Sequence, residues 1–169
     1  MSTDPGVRVG TGFDIHAFAE GRPLVLGGVT IPHERGLAGH SDADALLHAV
    51  CDALLGAAAL GDIGSHFPDS DPAYRGMSSL ELLRRTVALL AAAGWRAHQV
   101  DCSVLAEAPR IGPYRDRMRS AIAEALDIPE NRVGLKATTA EGLGFVGRRE
   151  GIAAHAVCLL VRTTGTAAP

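Results

Sequence analysis

Strand-like runs stand at both ends of this chain, and between them only three segments carry helical periodicity. Residues 7–15 read as a strand that becomes a loop at His16, and β-branched residues flank Gly27-Gly28 in a short hairpin over 24–31. Over 42–60 the pattern turns helical, with Leu46, Leu47, Val50, Ala53, Leu54 and Ala57 on one face. A Gly, Pro and Asp loop occupies 61–71, and Ser78-Ser79-Leu80-Glu81 has the spacing of a capping box that opens a helix running to Ala93, ended by Gly94. A strand is predicted over 95–106, a helix over 113–126, a strand over 132–138, a Gly-rich turn, and a last strand over 152–161. This order predicts an α+β fold, a mixed β-sheet with helices packed on one face. The other face has no helical cover, and burial against another subunit is the simplest way to stabilise it.

The length of 169 residues suits a single domain spanning 1–169. A net charge of -3 and an aromatic content of 4% argue against nucleic acid and anionic membranes as partners. No apolar stretch is long enough to span a bilayer and no signal or transit segment is expected, so the predicted location is cytoplasmic. Cys51, Cys102 and Cys158 are odd in number, far apart and set in apolar surroundings, which points to buried free thiols and away from disulfides or a cysteine metal site.

Asp14-Ile15-His16 places two metal-ligand types at i and i+2, on the same face of a strand. Asp44, His48 and Asp52 recur every four residues along an otherwise Ala/Leu-rich helix. A solvated helix face is the alternative for that stripe, but solvated faces elsewhere carry Arg and Glu, as at Glu81, Arg84 and Arg85. One Asp and two His leave a fourth position open, the composition of a catalytic zinc site and not a structural one. Asp52, one turn beyond His48, is expected to hold the second ring nitrogen of that histidine.

Gly39-His40-Ser41-Asp42-Ala43-Asp44 leads into the same helix, where backbone N–H groups, His40 and Ser41 suit an anion; a simple N-cap by Ser41 or Asp42 is the alternative. The acidic segments Gly61-Asp62-Ile63-Gly64 and Phe67-Pro68-Asp69-Ser70-Asp71 can accept hydrogen bonds from a polyol, or be a plain surface turn. Lys136-Ala137-Thr138-Thr139-Ala140-Glu141 ends a strand with two hydroxyls, one carboxylate and the only lysine of the chain. Such hydroxyls bind phosphate oxygens without adding charge, and Glu141 suits a magnesium ion bridging phosphates, although for the segment taken alone an ordinary strand end with β-branched residues is the preferred account.

Taken together, the strings RVGTGFDIHAF, LGGVTIP, GHSDADALLHA, DALLGAAALGDIG, FPDSD, AEAPR, KATTAEGLGF and GRREGIA run in order from Arg8 to Ala153. They resemble the 2-C-methyl-D-erythritol 2,4-cyclodiphosphate synthase family over almost the whole chain. The resemblance implies zinc ligands at Asp14, His16 and His48, and phosphate contacts at His40, Ser41 and Thr139, with His40 and Thr139 stabilising the transition state. It implies polyol contacts from Asp62, Ile63 and Gly64 and from Phe67, Pro68, Asp69, Ser70 and Asp71. A cytidine pocket would be built from Ala106, Glu107, Ala108, Pro109, Arg110, Ile111 and Gly112 with Ala137 and Thr138. Glu141 would hold Mg2+ or Mn2+ with the diphosphate. The family is a cyclic homotrimer with each active site between two subunits, which agrees with the uncovered sheet face. Phe145, Arg148 and Glu150 would line a central cavity that takes isoprenoid diphosphates, with Phe145 and Arg148 also among the substrate contacts. Three departures stand out: Ala43 where glycine is usual, Ala140 for a frequent threonine, and Arg149 where a small residue is common.

The reaction so implied turns 4-diphosphocytidyl-2-C-methyl-D-erythritol 2-phosphate into the 2,4-cyclodiphosphate and CMP, a phosphorus–oxygen lyase step of non-mevalonate isoprenoid precursor synthesis. Nucleophile and electrophile belong to one substrate, so no nucleophilic Ser or Cys is needed. A zinc phosphohydrolase and a non-catalytic trimeric carrier of isoprenoid diphosphates are the competing classes; the second would not need the Asp-His-His set.

Overall fold

The computed structural model describes residues 6–163. In chain order its elements are β1 (Val7–Ala19), β2 (Leu24–Leu26), β3 (Val29–Ile31), β4 (Gly36–Leu37), α1 (Ala45–Ala58), α2 (Ile63–His66), α3 (Ser79–Ala92), β5 (Trp95–Leu105), α4 (Arg115–Leu126), β6 (Val133–Thr138), α5 (Gly144–Gly147) and β7 (Gly151–Arg162). Five strands form one mixed sheet in the order β4-β1-β7-β5-β6, with β5 and β6 parallel and the other pairs antiparallel. β2 and β3 make a separate hairpin.

The centre of the fold is set by glycines at alternate positions of β1. Strand periodicity turns Gly10, Gly12, Asp14 and His16 toward the helices and Val9, Thr11, Phe13 and Ile15 away from them. A Cβ on Gly10 would lie 2.1 Å from the carbonyl oxygen of Ala53, and one on Gly12 would lie 2.0 Å from that of Ala49. Only a residue without a side chain lets α1 rest its backbone on this strand. α1 matches that approach by being Ala-rich, and it is buried all round except at His48, Asp52 and Gly56. Leu83 and Leu90 of α3 and Met118 and Ile122 of α4 join the same core beside Val100 and Cys102 of β5 and Ile152 of β7.

The opposite sheet face exposes Val7, Val9, Phe13, Ile15 and Val157, with Val9 67% and Phe13 56% exposed. This is the uncovered apolar face expected from the element order. No helix among the described residues is long and apolar enough to cross a membrane.

Four local expectations are corrected. β1 does not end before His16 but continues to Ala19, because β4 supplies a partner for Phe18 and Ala19. The helix expected from Asp42 begins at Ala45, and Asp44 is its fully buried N-cap, so Asp44 is not part of an exposed stripe. Its carboxylate accepts from Gly27 N at 2.9 Å, Gly28 N at 2.7 Å and Leu47 N at 3.0 Å, tying the β2–β3 turn to α1. The capping box does not close: Ser78 accepts from Leu80 N while Glu81 pairs with Arg85 at 3.0 Å. Finally, the 61–71 loop and the Gly-rich turn each contain one helical turn, α2 and α5.

Candidate active site

β1 and α1 bring three ligand atoms together. Asp14 Oδ2 lies 2.9 Å from His16 Nε2 and 3.1 Å from His48 Nδ1, and the two histidine nitrogens are 3.1 Å apart. Ligands at about 2.0–2.1 Å from a tetrahedral ion stand roughly 3.3 Å from one another. The observed triangle is therefore slightly contracted around the position an ion would take. The residues fit a metal ion, and this is the one such triad found among the described residues. His16 Nδ1 meets the Ala38 carbonyl at 2.5 Å, so it carries the proton and leaves Nε2 as the ligand atom.

Burial would raise the Asp14 carboxyl, but hydrogen bonds and charge from His16 and His48 outweigh it and hold the group well below the usual range. For His16, burial works to lower the pKa, and the Asp14 hydrogen bond and charge win and raise it. A proton and a bound cation would thus compete for this triad.

On the far side of His48 the expectation for Asp52 is not met. Asp52 Oδ1 accepts from Ile63 N at 2.7 Å, anchoring α2 to α1. His48 Nε2 instead faces two hydroxyls, Ser79 Oγ at 3.0 Å and Ser41 Oγ at 3.1 Å. Ser79 is the site residue that sequence reasoning missed, because a serine at a helix start reads as a cap.

The triad opens into a cavity of about 440 Å³ lined by His16, Gly39, His40, Ser41, His48, Ile63, Gly64, Phe67, Pro68 and Asp69, with Tyr74 and Leu82 closing it. His40 Nε2 is buried and has no hydrogen-bond partner among the described residues. The 39–41 turn is clamped from behind by Arg22, which donates to the carbonyls of Gly39 at 2.6 Å and Ser41 at 2.5 Å. Asp62, Ser70 and Asp71 stand outside the cavity wall. Asp62 Oδ1 takes Ser65 N at 2.8 Å and Ser65 Oγ at 2.6 Å, and Asp71 Oδ1 takes Ala73 N at 2.9 Å, so these two acids order the loop backbone. Ala43 has φ 59, a left-handed conformation in which its Cβ costs about 1 kcal/mol that glycine avoids.

A second cavity, about 530 Å³, is lined by Ala106, Glu107, Pro109, Arg110, Ile111, Gly112, Pro113, Ala137, Thr138 and Thr139 at the ends of β5 and β6. Ala108 belongs to the same turn and precedes Pro109 through a cis peptide bond. Glu107 Oε1 accepts from Ala140 N at 2.9 Å and Gly142 N at 3.2 Å, which folds the 139–142 segment over the cavity edge. Thr139 Oγ1 donates to Glu141 Oε1 at 2.9 Å. Phe145 lies in α5, and Arg148 forks onto Glu150 through Nε at 2.7 Å and Nη2 at 3.1 Å.

The two cavities share no lining residue. Asp14 pairs with Ala154, Ala154 with Val104, and Val104 with Ala137. That row crosses three strand spacings, about 14 Å in all. The three cysteines are free and buried, and burial pushes Cys51 and Cys102 up to about 12 and Cys158 up to about 11, which leaves no activated thiol among them.

The YgbB family matches residues 7–161. A 2-C-methyl-D-erythritol 2,4-cyclodiphosphate synthase from Syntrophobacter fumaroxidans is 62% identical over 154 residues, covering 91% of this chain and 97% of its own. The synthase of that name from Salinibacter ruber is 58% identical over 154 residues, covering 91% of this chain and 98% of its own. A solved 2C-methyl-D-erythritol-2,4-cyclodiphosphate synthase in a CDP-bound form superposes with a TM-score of 0.83 at 41% identity, over 90% of this chain and 99% of that one. The bifunctional IspDF from Campylobacter jejuni superposes with a TM-score of 0.89 at 43% identity, over 92% of this chain and 42% of that longer one. Sequence and fold agree, and the chain belongs to the YgbB family, the family of the 2-C-methyl-D-erythritol 2,4-cyclodiphosphate synthases.

Proposed function

We propose that this chain closes the 2,4-cyclodiphosphate ring of 2-C-methyl-D-erythritol, acting on the 4-diphosphocytidyl 2-phosphate and releasing CMP, as a phosphorus–oxygen lyase. The observation that carries the reading is the Asp14, His16 and His48 triad opening into a cavity walled by His40, Ser41 and the 63–69 segment. In the reaction an oxygen of the 2-phosphate attacks the β-phosphorus and the bond to the α-phosphate oxygen breaks, so atoms balance without water or an enzyme nucleophile. Two imidazoles and one carboxylate suit zinc, which when bound would supply Lewis-acid polarisation of a phosphate oxygen.

The residues of the chain do the rest by position. His40 and Ser41 bind phosphate oxygens in the first cavity, where the otherwise unpartnered His40 Nε2 gains a hydrogen bond to an oxygen whose charge grows in the transition state. Ile63, Gly64, Phe67, Pro68 and Asp69 enclose the polyol and exclude water, while Asp62, Ser70 and Asp71 shape that loop. The second cavity takes the cytidine through Ala106, Glu107, Ala108, Pro109, Arg110, Ile111 and Gly112 with Ala137 and Thr138. Thr139 contacts the phosphates, and Glu141, oriented by Thr139, would hold Mg2+ or Mn2+, which would supply charge neutralisation at the diphosphate.

Because the two cavities share no wall residue in one chain and the row from Asp14 to Ala137 spans about 14 Å of sheet, a complete site takes the second cavity from a neighbouring subunit. A cyclic homotrimer in the cytoplasm meets this need and buries the apolar face of Val9, Phe13 and Ile15. Its axis would carry Phe145, Arg148 and Glu150 around a cavity for isoprenoid diphosphates. The test is incubation with the cytidyl substrate and phosphorus NMR of the products. CMP and a cyclic diphosphate without inorganic phosphate support the reading; inorganic phosphate would mark a phosphohydrolase.

A further inference from the structure

His48 reaches the triad through Nδ1, so its Nε2 must carry the proton if Nδ1 is to offer a lone pair. We propose that Ser79, oriented by Asp42, is the positioning residue that locks His48 in this tautomer and so fixes its ligand atom. The proposal rests on the metal reading of Asp14, His16 and His48.

Ser79 is fully buried, and its Oγ lies 3.0 Å from His48 Nε2. Its single hydroxyl proton is given to Asp42 Oδ1 in a short contact, and its backbone N–H donates to Asp42 Oδ2 at 2.9 Å. With that proton committed to a carboxylate, the hydroxyl presents only lone pairs to the imidazole. His48 Nε2 must therefore be the donor. Ser41, at 3.1 Å from the same nitrogen, makes no such choice. Its Oγ accepts from Ala43 N at 3.1 Å and no carboxylate holds its proton, so it can face either tautomer. Ser41 also lines the cavity, where a phosphate would draw it away, whereas Ser79 does not.

The arrangement spans three elements. Asp42 precedes α1, Ser79 is the first residue of α3, and Asp14 lies on β1, so the relay fixes the ring from the side opposite the ligands. Indirect support of a metal-bound histidine by a carboxylate is a general device for setting ring orientation and basicity. Here a hydroxyl stands between the carboxylate and the ring.

The experiment compares the full chain with Ser79→Ala, Ser79→Thr and Asp42→Asn. The readouts are zinc affinity by chelator competition, the ring 15N shifts of His48 in the zinc-loaded protein, and melting temperature. Ser79→Ala is expected to weaken zinc about 10- to 100-fold and to move the His48 Nε2 shift. Ser79→Thr keeps the hydroxyl and should keep both properties. If Ser79→Ala does not fold, Asp42→Asn decides, because its amide leaves one acceptor oxygen for the Ser79 backbone N–H and hydroxyl to share, loosens the hold on the serine proton, and should weaken zinc and move the same shift. Unchanged zinc affinity and Nε2 shift, with or without a lower melting temperature, reduce Ser79 to a structural role and overturn the proposal. A wild-type chain that binds no zinc removes the metal reading and the proposal together, whereas tight wild-type binding matched by Ser79→Ala removes the proposal alone.

Discussion

Replacing Gly12 by alanine should disable the metal site from beneath without touching a ligand. The new Cβ would lie 2.0 Å from Ala49 O and 2.7 Å from Ala53 N, all of it backbone of α1 that no rotamer change can move. Since real Cβ contacts essentially never fall under 3.0 Å, the helix and strand must part by about 1 Å. His48 directly precedes Ala49, so its ring moves with the helix while Asp14 and His16 stay on β1. A site with metal–ligand bonds of about 2 Å does not survive a ligand displaced by half that length. Overpacking of this kind costs about 1–3 kcal/mol, and at roughly 2–4 °C per kcal/mol for a chain of this size the melting temperature should fall by up to about 12 °C. Zinc affinity by chelator competition should fall at least as far as in a variant lacking one ligand. Gly12→Ala with wild-type melting temperature and zinc affinity would refute the account of why β1 carries its glycines.

Metal affinity should fall as pH drops through the raised pKa of His16, since a proton then occupies the ligand atom; chelator competition between pH 5.5 and 8.5 measures it. In the metal-free chain the His16 contribution to stability is present below its unfolded value of 6.5 and lost as pH rises through the raised folded value. That of Asp14 is present above 3.8 and lost as pH falls through its lowered folded value, so thermal melts of the stripped protein should be flattest between these limits. Subunits carrying His48→Ala or Thr139→Ala, inactive alone, should recover about one quarter of full activity when reassembled in equal amounts, and recovery near zero in confirmed mixed trimers would reject the shared site. Arg148→Ala should weaken binding of isoprenoid diphosphates in calorimetry and leave zinc content unchanged, because the residue faces Glu150 and not the triad.

What could be read from the sequence follows from the range of the interactions. Asp14 and His16 project together because strand periodicity is local, and Gly94 after an amphipathic run is a local stop. The uncovered sheet face followed from counting helical patterns against strands. The stripe of Asp44, His48 and Asp52 misled because equal spacing conceals three different tasks. Asp44 caps α1 and holds the β2–β3 turn, His48 faces the triad, and Asp52 anchors α2 through Ile63. Apart from Leu47 and Ser41, each of these partners lies at least eleven residues away, so helical spacing alone does not reveal it. Ser79 was hidden for the same reason, since its partners Asp42 and His48 are 37 and 31 residues distant. The extension of β1 past His16 depends on β4, a strand of 2 residues that carries no pattern of its own.

The central claim is that the attacking oxygen belongs to the substrate and that the site excludes water from the phosphorus. Turnover in water enriched in 18O, with mass spectrometry of every product, tests it. The account predicts CMP and cyclic diphosphate that both carry only the original oxygens. Incorporation of 18O into either product, or into free phosphate, would mean that water is the nucleophile and would contradict it.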